Sequence, residues 1–594
     1  MMYANMDIVL INGVNFSEDN TEPQLGLIAL KKVLNETFNV DIINFDTLYN
    51  QKKFFYTDDV NENIQEMAEY ICRLNPRIAS FYTICNTYPI TILLAEKIKE
   101  INSEITVVFG GPQATLTSKE TLENYPFVDI VARGEGETYI TELVSAILKK
   151  SSLATVKGVA YRDEKGSICL TEMPSIIKGE ELKEYTVLDL EQQPIVNKSR
   201  AYSVEAGRGC PYGCSFCSTS IFWGRNFRIK PIEDIIYEVK YLRENYGIKR
   251  FRLEHDLFTA NRNYIIQFCH ALKKENLDIT WGCSSRIDIL DEDMMQNLKE
   301  AGCNSIYIGF ETGSQNMQKK LKKNIRVENA DQKLLELYKY GFEVTVSFIY
   351  GFEEESEEDF VKTLQLIESL YCHNISKVQL HKFMPLPSTE ETLKVSDKLH
   401  KDLSDIDISI YQSSRFNDKV QNIIFKNKEI HSCFFSFDSF IRTKYKRMDI
   451  LITCLSLSFK QFAISCKYII SKYGLIKIYE MTKDILEKCY QDIQSLSLTQ
   501  AYKNTATNEL LIKLYIKMAH NFSKMDEDDN IKEIIRYETD LYDFTFSNKT
   551  SEIREYNVDI YNSVKVRQMI TEKLDVPQKI QFIRRKSKIS ILKI

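Results

Sequence analysis

Three cysteines share one short stretch, Glu205-Ala-Gly-Arg-Gly-Cys210-Pro-Tyr-Gly-Cys214-Ser-Phe-Cys217. Their C-x3-C-x2-C spacing on a glycine-containing loop lets three thiolates grip three irons of a 4Fe–4S cubane, leaving the fourth iron without a protein ligand. An iron with an open position is where a small molecule can bind for inner-sphere chemistry. Two other readings are open on spacing alone. A structural zinc site wants four ligands, usually from two paired knuckles, and Cys269, Cys283 and Cys303 stand singly on other elements. Burial as small apolar side chains is the ordinary fate of free cysteine. Most of the 14 cysteines, including Cys433, Cys454, Cys466 and Cys489, read that way.

Further segments able to do chemistry follow at intervals. Arg228 to Asp256 reads as a helix, a Tyr-Gly stop and a strand ending Glu254-His255-Asp256-Leu257-Phe258. Then come Trp281-Gly-Cys-Ser-Ser-Arg286, Ile306-Tyr-Ile-Gly309-Phe-Glu311-Thr-Gly313, Phe348-Ile-Tyr-Gly351-Phe-Glu-Glu-Glu355 and Met384-Pro385-Leu-Pro387-Ser-Thr389. With the cysteine loop, this series resembles the radical S-adenosylmethionine superfamily. The resemblance implies that S-adenosylmethionine chelates the open iron and is cleaved by one electron to a 5′-deoxyadenosyl radical. It places Phe216 near the adenine, Gly309 on the adenine side, Glu311 at a polar cosubstrate contact and Arg286 at the ribose or carboxylate, which an arginine fork suits. His255 and Asp256 are the candidate catalytic pair, although relatives often have two acidic residues there and Glu353 replaces a common proline. Hydrogen-bonded rim residues are the plainer reading of both.

The first part of the chain holds two more segments, Val108-Phe109-Gly110-Gly111-Pro112-Gln113-Ala114 and Asp129-Ile-Val-Ala-Arg-Gly134-Glu135-Gly136-Glu137. Glycines after a strand let a planar ligand approach the backbone. Both segments resemble the cobalamin-binding domain that precedes many radical S-adenosylmethionine modules, which makes Gly110, Gly111, Pro112, Gln113, Gly134 and Glu135 candidate cobalamin contacts. All seven histidines lie at or after His255, so none in this part can ligate cobalt from below. A docking domain without cofactor fits the same pattern.

The elements that must position these groups fall into three sets. Apolar runs at Asp7–Asn12, Val40–Phe45, Ile78–Thr83, Thr106–Phe109 and Asp129–Ala132 alternate with helix-period segments at Gln24–Leu34, Glu62–Leu74, Ile90–Ile101 and Thr138–Leu148. That alternation predicts an α/β, doubly wound, Rossmann-like domain over 1–150. A hairpin around Asp163-Glu164-Lys165-Gly166 falls in a linker over 151–195. Strands at Tyr202–Glu205, Arg250–Leu253, Thr280–Ser284, Ser305–Ile308, Glu343–Ile349 and Lys377–His381 predict a partial TIM barrel over 196–398. Residues 399–594 read as mostly helical and are expected to cap the barrel mouth, with Arg584–Lys588 as a solvated basic tail.

Composition bounds the partners. The chain has 594 residues, 44% hydrophobic and 27% charged, with net charge −6. That is enough for roughly three or four domains, and it argues against nucleic acid as the main partner. The start reads as a strand, not a signal peptide. Met448–Ile470 carries Lys460 and Lys467 and reads as a buried helical hairpin, not a membrane span of ~20 apolar residues. Reduced thiols in the cytoplasm are the default.

The leading expectation is a cobalamin-dependent radical methyltransferase acting on an unactivated carbon of a small-molecule or peptide substrate, fed electrons by a donor such as flavodoxin or ferredoxin. A radical cyclase, rearrangement or oxidation catalyst is the second. A cluster-binding sensor without turnover is the third, and Arg286 with Glu311 speaks against it.

Overall fold

The computed structural model describes residues 6–20, 25–185, 201–546, 551–558, 573–585 and 588–593. The first sheet contains β1 (Met6–Ile11), β2 (Val40–Ile43), β3 (Pro76–Tyr82), β4 (Thr106–Gly110), β5 (Ile130–Ala132), β6 (Val159–Arg162) and β7 (Ile168–Leu170), in the order β2-β1-β3-β4-β5-β6-β7. The first five strands are parallel. β1 and β3 are almost continuously apolar and buried, as strands covered by helices on both faces must be. Strand order reverses between β1 and β3, so a crevice opens at their carboxyl ends. The predicted hairpin forms, but β6 pairs antiparallel with β5. It is the edge of the first sheet, not a free linker. The start of the first helix at Gln24 and the stretch 186–200 lie outside the described residues.

The second sheet contains β8 (Tyr202–Glu205), then, after the short strands β9 (Gly207–Arg208) and β10 (Arg228–Ile229), β11 (Arg250–Glu254), β12 (Thr280–Ser285), β13 (Cys303–Glu311), β14 (Glu343–Tyr350) and β15 (Lys377–Lys382). Its six parallel strands run β15-β14-β13-β12-β11-β8, a curved, unclosed barrel. One side-chain row, including Phe251, Leu253, Ile306, Ile308, Val346, Phe348, Val378 and Leu380, is buried against the surrounding helices. The other row lines the lumen and is largely polar.

β9 and β10 pair antiparallel, with Arg208 opposite Arg228. The loop they close, residues 209–227, carries all three motif cysteines.

The C-terminal region differs from expectation. Helices Met448–Ser458, Ala463–Gln494, Asn504–Met525 and Asp529–Phe546 share the barrel's outer core. Ser456 Oγ donates to the Val378 carbonyl at 2.6 Å and Tyr371 Oη to that of Ile452 at 3.2 Å. These helices therefore back the last strand, because their apolar faces match its outer row, and do not cap the mouth. Residues around Ile406–Phe435 instead join the core of the first sheet. The chain ends in an antiparallel sheet of β16 (Ser551–Val558), β17 (Lys573–Arg585) and β18 (Lys588–Lys593). Arg584 and Arg585 lie in β17 and Lys588 in β18, with Arg585 paired to Lys588, so these three are strand residues and not a tail; Lys586 and Ser587 lie outside the described residues. Among the described residues no helix is long and apolar enough to cross a membrane.

Trp281 anchors the barrel core. It is 2% exposed, donates from Nε1 to the Ala301 carbonyl at 2.8 Å and meets Phe258 and Phe268 edge-on at 6.0 and 5.6 Å. Trp281→Ala should cost about 3–5 kcal/mol, read as a lowered urea midpoint. An unchanged midpoint would contradict this packing.

Candidate functional site

The cysteine loop is fixed from several sides. The Gly209 amide donates to Asp256 Oδ2 at 2.8 Å, and the Ser215 amide donates to the Leu321 carbonyl at 3.0 Å. Gly209 has φ +84, and a Cβ there would lie 1.9 Å from the Asn226 carbonyl oxygen, so only glycine brings the chain into the loop. Cys210, Cys214 and Cys217 are half-buried and unbridged. Burial pushes the thiols of Cys210 and Cys214 up, while Lys323, and at Cys214 also Arg286, pull in the opposite direction. Three thiols on one loop beside two cations suit an anionic thiolate-bound cluster. Among the described residues no group of His, Cys, Asp or Glu is arranged for a single metal ion.

The expected cosubstrate residues gather beside this loop. Pairing between β13 and β14 slips between Gly309 and Glu311, and Glu311 takes φ +70. This bulge turns the carboxylate back over Gly309, where a Cβ would meet Glu311 Oε1 at 2.6 Å. Lys323 Nζ pairs with that oxygen at 2.9 Å, and both side chains are about nine-tenths buried. Arg286 donates from Nε and one Nη to Asp288 at 3.0 and 2.9 Å and from the same Nη to the Lys323 carbonyl at 2.8 Å. Its guanidinium lies 3.9 Å from the ring centre of Tyr212, inside the cysteine loop, and the other Nη is buried without a hydrogen-bond partner. Phe216 meets Phe352 edge-on at 6.1 Å in a small apolar cluster with Met317, Leu321 and Phe383.

His255 and Asp256 line the cleft, and both are engaged by protein partners. His255 Nδ1 accepts from the Leu257 amide and Nε2 faces the Arg228 carbonyl, both at 3.0 Å. Burial drops its pKa to about 4. A neutral ring with both nitrogens occupied has no proton to offer a substrate. Asp256, its pKa raised by burial, anchors the cysteine loop through Gly209. Sequence position suggested catalysis for both; the side-chain partners that hold them are not visible in sequence.

The first sheet faces this assembly across a cleft of about 1320 Å³, above the roughly 300–1,000 Å³ of ordinary small-molecule sites. Gly111, Pro112, Gln113, Gly134 and Glu135 line it; Gly110 ends β4 just behind. Gln113 is buried, and its side-chain amide donates to the Ile430 carbonyl at 2.8 Å, tying down the segment that joins the first sheet's core. Glu135 also serves as a brace. Its Oε1 pairs with Arg208 at 2.8 Å and its Oε2 with Arg228 at 2.6 Å, and Oε2 also accepts from the Ile177 amide at 3.1 Å. Arg208 further pairs with Glu137 and Glu205, both at 2.7 Å.

Sequence reading missed Lys323, Arg208, Arg228 and His381. Lys323 sits in a Lys-rich run that looks solvated. The other residues carried no spacing signal. Strand register places Gln379 and His381 beside Ser347 and Ile349, on the lumen row with Tyr307 and Gly309. Burial opposes charging His381, but Asp407, 3.5 Å from Nδ1, together with Asp449 and Glu311, raises its pKa overall. Arg252, Glu254, Ser203 and Ser284 continue the polar lining.

Known proteins match this arrangement. Residues 204–367 match the Radical SAM superfamily and residues 12–144 the B12 binding domain. An uncharacterized methyltransferase of Pyrococcus horikoshii is 30% identical over 374 residues, 62% of this chain and 77% of that protein. The anaerobic magnesium-protoporphyrin IX monomethyl ester cyclase of Rubrivivax gelatinosus is 28% identical, covering 58% of this chain and 62% of its own length. In fold, the chain is similar to the cobalamin-dependent S-adenosylmethionine radical enzyme OxsB, with TM-score 0.56 and 16% identity over 92% of this chain and 82% of that one. It is also similar to the radical S-adenosylmethionine methyltransferase TsrM of Kitasatospora setae, with TM-score 0.54 and 15% identity over 66% and 76%.

The His255 pKa of about 4 lies below the ordinary value of ~6.5. As pH falls through 6.5 the unfolded chain takes up a proton that the folded chain refuses until about pH 4. Stability present above pH 6.5 is thus lost on acidification, by about 3 kcal/mol from this residue. His255→Gln should flatten the fall in urea stability between pH 6.5 and 4. An identical slope would contradict the buried neutral ring.

Proposed function

The chain belongs to the radical S-adenosylmethionine enzymes that carry a cobalamin-binding domain, and from that premise we propose that it transfers methyl groups to an unactivated carbon. The observation carrying this reading is the cleft itself: one continuous cavity is lined by Gly111, Pro112 and Gly134 of the first sheet on one side and by Ser203, Arg252, Glu254 and Ser284 of the barrel on the other. A cluster on the cysteine loop would supply the electron that cleaves S-adenosylmethionine, and cobalamin bound in the cleft the methyl group.

The protein's own residues then have defined tasks. Cys210, Cys214 and Cys217 would hold the cluster. Glu311, turned inward by its bulge, would take the cosubstrate ammonium, and the unpartnered Nη of Arg286 offers a donor for an anionic group beside Tyr212. Phe216 and its apolar neighbours would pack the adenine. Gly111 and Pro112 would let a broad ring approach the first sheet. The lumen row of Ser203, Arg252, Glu254, Tyr307, Gln379 and His381 would orient a substrate, and the surrounding walls keep bulk water from a reactive radical. A donor such as flavodoxin or ferredoxin would deliver electrons, and the free thiols suit a reducing cytoplasm.

Similarity to an anaerobic ester cyclase favours a second reading, radical chemistry without methyl transfer. The two separate in one experiment. Anaerobic holoenzyme is given S-adenosylmethionine labelled CD3 on its methyl, a reductant and extract of the source cells. Methyl transfer predicts 5′-deoxyadenosine and S-adenosylhomocysteine together, with the label in a product. Deoxyadenosine without S-adenosylhomocysteine would move the assignment to the second reading. Glu311→Gln should weaken S-adenosylmethionine binding about tenfold, or ~1.4 kcal/mol, by equilibrium dialysis; an unchanged affinity would remove Glu311 from the site.

A further inference from the structure

The cysteine loop hangs from a narrow neck. β9 and β10 are its two stems, with Arg208 opposite Arg228 and Cys210 two residues beyond Arg208. Both stem arginines are buried, and both are gripped by the same side chain of the first sheet, Glu135, one through each carboxylate oxygen. Glu137 takes a second nitrogen of Arg208, and Glu205, at the end of β8, takes the third. Arg208 thus has each of its three nitrogens on a different carboxylate, two from the first sheet and one from the barrel. The Nη of Arg228 that pairs with Glu135 also donates to the Ile177 carbonyl at 2.8 Å, and the guanidinium lies 5.1 Å from the Trp223 ring centre; its Nε and other Nη are buried without a hydrogen-bond partner.

We propose that Gly134-Glu135-Gly136-Glu137 is an interdomain latch that sets where the cysteine loop stands relative to the cleft of the first sheet. This role extends the proposed function, on which it rests, because methyl and electron traffic between the two cofactors depends on their separation. Buried ion pairs contribute little net stability compared with apolar packing, yet they are costly to break and tolerate few alternative geometries. A charged clamp therefore fixes register, where an apolar one would allow sliding. Glu135 and Arg208 act as positioning residues: neither touches the reacting atoms.

The test uses the full chain reconstituted anaerobically with iron and sulfide, with and without hydroxocobalamin. Wild type is compared with Glu135→Gln, Glu137→Gln and the conservative Glu135→Asp. The readouts are iron content, the electron paramagnetic resonance line shape of the reduced cluster with S-adenosylmethionine, and the pulsed-resonance separation between the reduced cluster and cobalt(II). Glu135→Gln should keep its iron but shift the cluster line shape and spread the single cluster–cobalt separation. Glu137→Gln, which spares both Glu135 contacts, should do so less, and Glu135→Asp should restore part of the wild-type signal. A merely structural role would lower the melting temperature and leave the line shape and separation of the folded fraction unchanged, which would overturn the proposal. Should Glu135→Gln fail to fold, Glu137→Gln decides on the same readouts. Wild type that takes iron but no cobalt would remove cobalamin from the proposed function, and the cluster line shape alone would then decide the latch.

Discussion

The ion cluster centred on Arg208 is the constraint on which the assembly depends. Three carboxylates and two guanidinium groups leave water together, at several kcal/mol of desolvation each, regained only when every partner is in place. The two layers therefore meet in one register. That register brings the carboxyl ends of the first sheet to the mouth of the barrel, and in doing so creates the shared cleft. The same arginines form the neck of the cysteine loop, so joining the layers and placing the thiols are one event.

Within the barrel, a second device places the Glu311 carboxylate. The β13 bulge is made possible by Gly309, whose missing side chain leaves room for the returning Glu311 carboxylate. Lys323 balances that buried charge and also faces Cys214, so the loop and the strand end share one electrostatic environment. Arg286, held by Asp288 and the Lys323 carbonyl and lying over Tyr212, braces the loop beside it. Each of these charged groups is thus supported by a partner from another element, which keeps a site built largely on loops in a defined geometry.

Much of this was legible in sequence. All six lumen strands were read within about three residues at either end, because strands buried on one face alternate apolar and polar residues, as Arg250–Glu254 and Lys377–Lys382 do, between regular helical segments. The cysteine loop and the Gly309–Glu311 segment stood out in sequence because their residue types recur at short, fixed spacing, and the structure places them side by side through Lys323. The C-terminal sheet was not: β17 and β18 mix Lys, Arg and Ile in runs that a helix could also use, and their pairing is with each other and β16. His255, Asp256, Gln113 and Glu135 were assigned to chemistry by position, yet each is held by a distant partner, Arg228, Gly209, Ile430 and Arg208 respectively, which no local pattern encodes. Lys323 was hidden for the converse reason: a lysine in a basic run looks solvated until tertiary structure buries it.

The most direct measurement is anaerobic reconstitution with iron, sulfide and hydroxocobalamin, followed by desalting and quantification of both metals. The structure and its relatives predict four irons and one cobalt per chain. A folded chain that retains no iron would contradict the account at its centre.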